Sequence, residues 1–227
     1  MPVRGLVFDF GGVIVNMRWD VAEALEQEHS LERATLLRSL YDSDDWRAVE
    51  VGRGDIDGWR EAAHRRLEEA AGRPLPPLHE QWRQSWGAIR ENLRLIRALR
   101  PPYRIAILSN ADITLEERLR DGMGIHHLFD TVISSAAVGL AKPDPAIYRL
   151  AAERLGLPVE ECLFIDDAER NVTAAREVGM TAVHFRVHKG DDLAAQLADL
   201  GVKAEGTGPP HSRPISLRER GDPKAPP

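Results

Sequence analysis

Five short runs of aliphatic and β-branched residues restrict the fold of this sequence more than any other feature. Each run is continuously apolar rather than alternating, and each is followed by a turn and a stretch with helical periodicity. Strands of this kind are buried on both faces, which is typical of parallel sheets covered by helices. The pattern predicts a doubly wound parallel α/β domain. The runs are GLVFDF (5–10), RIAILSN (104–110), FDTVISS (129–135), CLFIDD (162–167) and TAVHF (181–185).

The predicted helices between these strands have recognisable ends. Asp112 and Asp144 are candidate N-caps, and Gly156, Gly179 and Gly201 are candidate C-terminal stops. The corresponding helical stretches lie near 112–122, 144–155, 169–178 and 190–199.

A long interval separates the first apolar run from the second, far more than a crossover helix needs. All five tryptophans lie in this interval and all five phenylalanines lie outside it. This segregation predicts a separate helical subdomain, with a core at 1–15 and 90–203, a helical cap at 16–89 and a disordered tail at 204–227. The helical patterns of the interval cover 20–28, 31–40, 56–71, 78–88 and 90–99.

Composition excludes several classes of function. With 227 residues, 43% hydrophobic and 29% charged, the chain resembles an ordinary globular protein. The net charge of −6 gives no electrostatic case for nucleic acid or anionic membrane as a partner. The single Cys162 cannot form an internal disulfide, and residues 1–15 lack the layout of a signal peptide. We therefore expect a cytoplasmic protein.

Polar groups follow four of the five predicted strands. Asp9 ends the first, the pair Ser109 and Asn110 ends the second, and Asp166 and Asp167 end the fourth, while Lys142 lies in the loop after the third. Because parallel strands bring their carboxyl ends to one edge, we expect these groups to meet there. Each alone is commonly a turn or cap residue. Together, however, the adjacent carboxylates indicate a site for a hard cation such as Mg²⁺.

The whole set predicts phosphoryl transfer. Asp9 would be the nucleophile, and Mg²⁺ held by Asp9 and Asp167 would neutralise the phosphoryl oxygens. The Ser109 hydroxyl and backbone donors near Asn110 would hydrogen-bond the transferring group. Further charge compensation would come from Lys142, and Asp166 would orient a water of the Mg²⁺ from outside its direct ligands.

The order FDFGG, LSN, KP and FIDD resembles the haloacid dehalogenase (HAD) superfamily of hydrolases over residues 3–15 and 100–200. The intervening helices resemble the type 1 helical cap of that superfamily, on a HAD-like Rossmannoid core. The resemblance implies a nucleophile at Asp9, phosphate contacts from Ser109, Asn110 and Lys142, and Mg²⁺ as cofactor. It also implies Asp167 as a direct metal ligand, with Asp166 beside it, and a metal contact from the backbone carbonyl of Gly11.

One position departs from the family pattern. The residue two after the nucleophile is usually a second Asp that acts as general acid and base, and here it is Gly11. General acid–base help is worth roughly 10²–10⁴ in rate. Water or another side chain would have to supply it; Asp20 and Asn16 are candidates if their loop folds over Asp9. Trp19, Asp20, Trp46 and Arg47 are candidate specificity groups.

Three functions remain open at this stage: a phosphatase for a small phosphorylated metabolite, a metal-free 2-haloacid dehalogenase, and a non-catalytic or phosphate-binding protein. The Asp166–Asp167 pair argues against the dehalogenase, because an extra buried carboxylate without a metal is costly. The presence of all the other site residues argues against a non-catalytic protein. The sequence therefore favours the phosphatase.

Overall fold

The computed structural model describes residues 2–204, so the tail expected at 204–227 lies, beyond Ala204, outside the described residues. Five parallel strands form the main sheet in the order β5-β4-β1-β6-β7, and β2 pairs with β3 in a separate antiparallel ribbon. In chain order the strands are β1 (Gly5–Phe8), β2 (Val15–Asn16), β3 (Gly87–Ala88), β4 (Arg104–Ser109), β5 (Thr131–Ser134), β6 (Cys162–Asp166) and β7 (Thr181–His184). The predicted doubly wound parallel sheet is confirmed.

Helices cover the sheet and fill the interval between β2 and β3. Five of them, α1 to α5, lie in that interval and the others follow β3. Their bounds are α1 (Trp19–Glu28), α2 (Thr35–Tyr41), α3 (Asp44–Val49), α4 (Ile56–Ala71), α5 (Leu78–Gln84), α6 (Arg90–Ala98), α7 (Leu115–Glu117), α8 (Ser135–Val138), α9 (Pro145–Leu155), α10 (Glu169–Val178) and α11 (Leu193–Asp199). A π-helical turn at 118–122 continues α7.

The two faces of the sheet are packed by different helices. On one face, Phe8 and Ile107 contact a cluster that includes Ile96 of α6 and Leu197 of α11. On the other face lie residues such as Val7, Leu108 and Phe164, packed with Tyr148 and Ala151 of α9 and Val172 of α10. Successive strand residues point to opposite faces, so burial of both faces explains why these strands are continuously apolar.

The register brings the strand ends together. Phe8 lies beside Ile107 of β4 and Ile165 of β6, and the Asp9 N–H donates to the carbonyl of Ile165 at 2.8 Å. The residues that follow β1, β4 and β6 therefore leave the sheet at the same edge. This is the edge where open parallel sheets bind ligands.

Most of the predicted helix ends are observed. Asp144 caps α9 through the N–H of Ala146, and Gly156 and Gly179 end α9 and α10 in the left-handed conformation. Asp112 behaves differently. Its carboxylate accepts from the N–H of Thr114, which closes a turn, and α7 begins only after Thr114.

The helical interval has its own apolar cluster. Trp46, Trp59 and Trp82 are buried there among leucines of α2, α4 and α5. The indole N–H of Trp59 donates to the carbonyl of Leu40 at 2.8 Å, and that of Trp82 donates to Met17 at 2.6 Å. Because these donors are satisfied, the rings can be buried at little polar cost. None of the described helices has the length and apolar character needed to cross a bilayer.

Two local predictions for this interval are wrong, and one helix was not expected. The helix expected at 78–88 ends at Gln84, because Gly87 and Ala88 pair with β2. The helix expected from residue 31 begins at Thr35, because the buried Glu26 carboxylate accepts from Ala34 and Leu36 and holds the preceding residues in a turn. Helix α3 was not predicted. We keep the division into core (1–15, 90–203) and cap (16–89) as a proposal, which the ribbon at both junctions supports.

Candidate active site

A cavity opens where the carboxyl edge of the sheet faces the helical interval. Its floor carries Asp9, which follows β1, and Ser109, which ends β4. Asp167 follows β6, and Lys142 enters from the loop between α8 and α9. Asp9, Ser109 and Lys142 are buried. The structure thus brings the site residues expected from the sequence into one place.

Lys142 joins two carboxylates beneath the cavity. Its Nζ lies 2.8 Å from Asp9 Oδ1 and 2.6 Å from Asp166 Oδ2, and its side chain is 1% exposed. Asp166 is fully buried and also accepts from Asn171 Nδ2 at 3.1 Å and from the N–H of Ala168 at 2.8 Å. Burial alone lowers the pKa of Lys142, but Asp166 and Asp9 more than offset it and raise that pKa above its usual value. Lys142 therefore stays an ammonium ion.

Asn110 holds the loop that carries this lysine. Its Nδ2 donates to the carbonyl of Lys142 at 2.8 Å, and its Oδ1 accepts from the Lys142 N–H at 2.7 Å. The side-chain amide is thus committed to the protein. The phosphate contact expected at Asn110 stays a prediction for its backbone, beside the hydroxyl of Ser109.

Three carboxylates lie close together at the floor of the cavity. Oxygens of Asp9, Asp166 and Asp167 lie within 4.8 Å of one another. Burial raises the pKa of Asp9 to about 6. The positive charge of Lys142 lowers this pKa and the negative charge of Asp166 raises it, but burial is the largest effect. Burial, followed by repulsion from Asp9 and Asp166, raises the pKa of Asp167 to about 7. The single positive charge of Lys142 is therefore not enough to balance the three carboxylates when all of them are ionised.

This donor set fits a divalent hard cation. Within the described part of the chain, Asp9 Oδ1 is buried without a hydrogen bond of good geometry, although it forms the ion pair with Lys142. Asp167 is the member of the set that borders the cavity together with Asp9. Mg²⁺ prefers carboxylate oxygens and keeps other positions for water and phosphate. Asp9 and Asp167 therefore suit Mg²⁺, whereas Asp166 faces Lys142.

Gly11 and Gly12, which follow Asp9 in the turn, differ in how strictly the structure requires a glycine. Gly12 has φ 73°, and a Cβ there would lie 2.2 Å from Asp167 Oδ2, so Asp167 can approach the turn only past a glycine. A Cβ on Gly11 would lie 2.8 Å from Met17 Sδ, the end of a flexible side chain. The sequence showed a turn of two glycines after Asp9, but it indicated a role for Gly11 alone and none for Gly12.

The helical interval supplies the opposite wall of the cavity. Trp19, Trp46 and Arg47, expected as specificity groups, all border it. Glu50 was missed; it follows α3, and its Oε2 accepts from Asn110 Nδ2 at 3.1 Å. No sequence signal pointed to Glu50, because its position depends on a short helix that the sequence did not predict.

The two leaving-group candidates expected from the sequence are engaged elsewhere. Asp20 is exposed and forms a bidentate pair with Arg18, which holds its pKa below the usual value. Asn16 Oδ1 accepts from the N–H of Arg18 at 2.9 Å. The loop therefore does not present either group to Asp9 as expected.

The chain belongs to the haloacid dehalogenase-like hydrolases. The model of that family matches residues 3–179, which is most of the chain. Its relatives include phosphatases. Phosphatase MT3486 of Mycobacterium tuberculosis is 36% identical over 118 residues, 51% of this chain and 54% of its own length, so the chain spans about half of that relative. The D-ribitol-5-phosphate phosphatase of Bacteroides thetaiotaomicron is 27% identical over 86% of this chain and 97% of its own length.

Solved structures show the same fold. A HAD family enzyme of Bacteroides thetaiotaomicron has a TM-score of 0.66 at 22% identity, covering 87% of this chain and 99% of that one. Another structure of that enzyme, with a TM-score of 0.59 and 20% identity over 86% and 98% of the two chains, contains magnesium and inorganic phosphate. The L-2-haloacid dehalogenase of Xanthobacter autotrophicus has a TM-score of 0.59 at 26% identity, covering 79% and 76%.

Proposed function

We propose that this chain is a Mg²⁺-dependent phosphomonoester hydrolase that acts on a small phosphorylated molecule. The observation that carries the proposal is the cluster of Asp9, Asp166 and Asp167 with Lys142 at the floor of one cavity. A phosphate ester needs a nucleophile and compensation for its charge, and this cluster offers both. The names of the relatives support the same class of substrate.

Asp9 has the position of the nucleophile. Asp9 follows β1 at the floor of the cavity. Its backbone N–H donates to the carbonyl of Ile165, and its carboxylate pairs with Lys142. An oxygen of Asp9 would form a bond to phosphorus while the bond from phosphorus to the leaving oxygen breaks. Water would then hydrolyse the aspartyl phosphate and release inorganic phosphate. Splitting the reaction in this way replaces one difficult step by two easier ones.

The neighbouring groups would hold the phosphoryl group. The Lys142 ammonium, fixed by Asp166, would compensate charge on the phosphoryl oxygens, and the Ser109 hydroxyl would donate to one of them. Asp9, Asp167 and the backbone carbonyl of Gly11 would hold Mg²⁺, which when bound supplies charge neutralisation to the anionic nucleophile and substrate. Asp166 would position Lys142, with which it pairs at 2.6 Å, and would not orient a water of the Mg²⁺ as the sequence suggested, because it is fully buried.

Two other functions share this fold. A 2-haloacid dehalogenase would use the same nucleophile without a metal, and a non-catalytic protein would only bind phosphate. Asp167 argues against the first, because a further carboxylate next to Asp9 repels it and serves no purpose without a cation. The buried ion pairs of Lys142 argue against the non-catalytic protein. Burying these charges costs folding stability, which we expect only where the site has a catalytic use.

Hydrolysis of p-nitrophenyl phosphate tests the proposal, since this ester has a leaving group that needs little help from an acid. We expect turnover with Mg²⁺, loss with a chelator, and loss in Asp9→Asn, which keeps the shape of the side chain. Asp199→Asn, at an exposed position of α11, is the matched control and should behave as the unaltered chain.

Two outcomes would replace the proposal. Halide release from a 2-haloacid without metal, together with inactivity toward the phosphate ester, would favour the dehalogenase. Inactivity toward both, with no Mg²⁺ binding by calorimetry, would favour the non-catalytic protein.

A further inference from the structure

The reaction proposed above lacks a proton donor for the leaving group. Gly11 has no side chain, and Asp20 and Asn16 are bound to Arg18. A leaving alkoxide or phenoxide is a poor leaving group unless it receives a proton as the bond to phosphorus breaks. A side-chain donor would therefore have to reach the cavity from another element.

Glu50 is a carboxyl group that the helical interval contributes to the same cavity as Asp9. It lies at the C-terminal end of α3 and borders the same cavity as Asp9, Gly11 and Asp167. The side chain is half-buried. It thus comes from the cap side, where the part of a substrate beyond the phosphoryl group would lie.

The Glu50 carboxyl is fixed by the core. Oε2 accepts from Nδ2 of Asn110, the amide that also holds the backbone of Lys142. The turn that follows Glu50 rests on the core as well, because a Cβ on Gly52 would lie 2.2 Å from the carbonyl oxygen of Ala136. The Asn110 amide therefore fixes the position of the Glu50 carboxyl relative to the backbone of Lys142.

The other carboxyls of the cavity are less suited to donate a proton. Asp42 pairs with Arg47 at 3.8 Å and its side chain is 71% exposed, and Asp9 and Asp167 belong to the metal set. Within residues 2–204, no ion pair within 4 Å engages Glu50. Burial raises the pKa of Glu50 above its usual value, against the lowering effects of Arg170 and Asn110. A raised pKa moves this carboxyl in the direction that a general acid needs.

We propose that Glu50 donates the proton that Gly11 cannot supply, an inference that rests on the proposed phosphatase activity. In the first step an Asp9 oxygen bonds to phosphorus, the phosphorus–oxygen bond of the ester breaks, and the Glu50 proton passes to the departing oxygen. In the second step the Glu50 carboxylate takes a proton from water, the water oxygen bonds to phosphorus, and the bond from Asp9 to phosphorus breaks. Glu50 is thereby protonated again.

Glu50→Gln is the direct test because glutamine keeps the shape and the oxygen that accepts from Asn110 but carries no acidic proton. We compare kcat/KM, with Mg²⁺, for phenyl phosphate and p-nitrophenyl phosphate. The phenyl ester needs the acid and should lose roughly 10²–10⁴-fold in the variant. The nitrophenyl ester should lose about 10-fold or less, because its leaving group is stable as the anion. Glu153→Gln, at an exposed position of α9, is the matched control.

The pattern of losses decides between the alternatives. If Glu50 only supports Asn110, Glu50→Gln leaves both esters unchanged or lowers both by the same factor, and the inference is overturned. Glu50→Asp keeps a carboxyl and should retain more phenyl phosphate activity than the glutamine variant; equal loss in the two counts against the inference. If the unaltered chain hydrolyses neither ester, the proposed function itself fails and this inference falls with it.

Discussion

At the scale of single residues, the choice of lysine at position 142 organises the site. A compact ammonium fits between Asp9 and Asp166 and reaches both at 2.8 and 2.6 Å. The planar fork of arginine would need more room and a different geometry. Because Asp166 is held by Asn171 and by the N–H of Ala168, it keeps the ammonium directed at the nucleophile.

Replacing that lysine should cost stability as well as activity. Lys142→Met keeps most of the length of the side chain but leaves two buried carboxylates without their cation, for which we expect a loss of about 3–5 kcal/mol in the free energy of unfolding. Urea denaturation at neutral pH measures it. The exposed Lys189→Met is the control and should stay within about 0.5 kcal/mol. Equal costs for the two variants would contradict the buried ion pairs.

At the scale of elements, the turn after α3 packs the helical interval against α8. Gly52 has φ 72° and lies against the Ala136 carbonyl, in α8. Gly54 lies close to α3 itself, since a Cβ there would be 2.6 Å from the backbone nitrogen of Val49. The ribbon of β2 and β3 pairs the two ends of the interval with each other. The turn and the ribbon are thus two places that fix the position of the helical interval.

Two alanine substitutions separate the docking of this turn from ordinary backbone strain. Gly52→Ala and Gly72→Ala each place alanine in the left-handed region, at a cost of about 1–2 kcal/mol. Only Gly52→Ala also meets a neighbouring backbone, because nothing lies within 4 Å of a Cβ on Gly72. We expect kcat/KM for phenyl phosphate to fall in Gly52→Ala, because a displaced turn moves Glu50, and to stay unchanged in Gly72→Ala. Equal values in the two variants would show that docking of the turn does not matter.

The sequence predicted those parts of the fold that depend on local pattern. The apolar runs, the Asp144 cap and the glycine stops are set by a few neighbouring residues, so they could be identified without a structure. The ribbon of β2 and β3 could not be, because each strand has two residues and pairs with a partner far away in the sequence. Helix α3 has six residues and is marginal alone, so its existence depends on packing.

The candidate site shows the same division. Asp9, Ser109, Lys142 and Asp167 could be predicted because strand ends and motif order mark them. Glu50 could not, since only the docking of the cap brings it to Asn110. The commitment of the Asn110 amide to the Lys142 backbone also depends on a contact between distant loops.

At the scale of the whole molecule, the site concentrates negative charge in a chain that is already acidic. The net charge is −6, and three carboxylates lie together against one ammonium. The raised pKa values of Asp9 and Asp167 mean that the folded chain binds these protons more tightly than the unfolded chain. Without metal, stability should therefore fall as pH rises from about 4, the ordinary aspartate value, through about 7.

Magnesium should reverse this loss. Mg²⁺ binds the deprotonated carboxylates and stabilises the folded state, so the rise in Tm on adding it should grow between about pH 5 and pH 8. Thermal unfolding with and without Mg²⁺ across this range measures it. In Asp167→Asn the rise should be small at every pH. A rise that is independent of pH, or that survives in Asp167→Asn, would contradict the metal site.

The claim that Asp9 takes up the phosphoryl group is tested most directly by trapping it. Protein mixed with Mg²⁺ and p-nitrophenyl phosphate is quenched in acid within the first turnovers, digested, and examined by mass spectrometry. We predict a phosphoryl adduct on the peptide that contains Asp9, and none in Asp9→Asn. Turnover without an adduct on that peptide, or an adduct at another residue, would contradict the account.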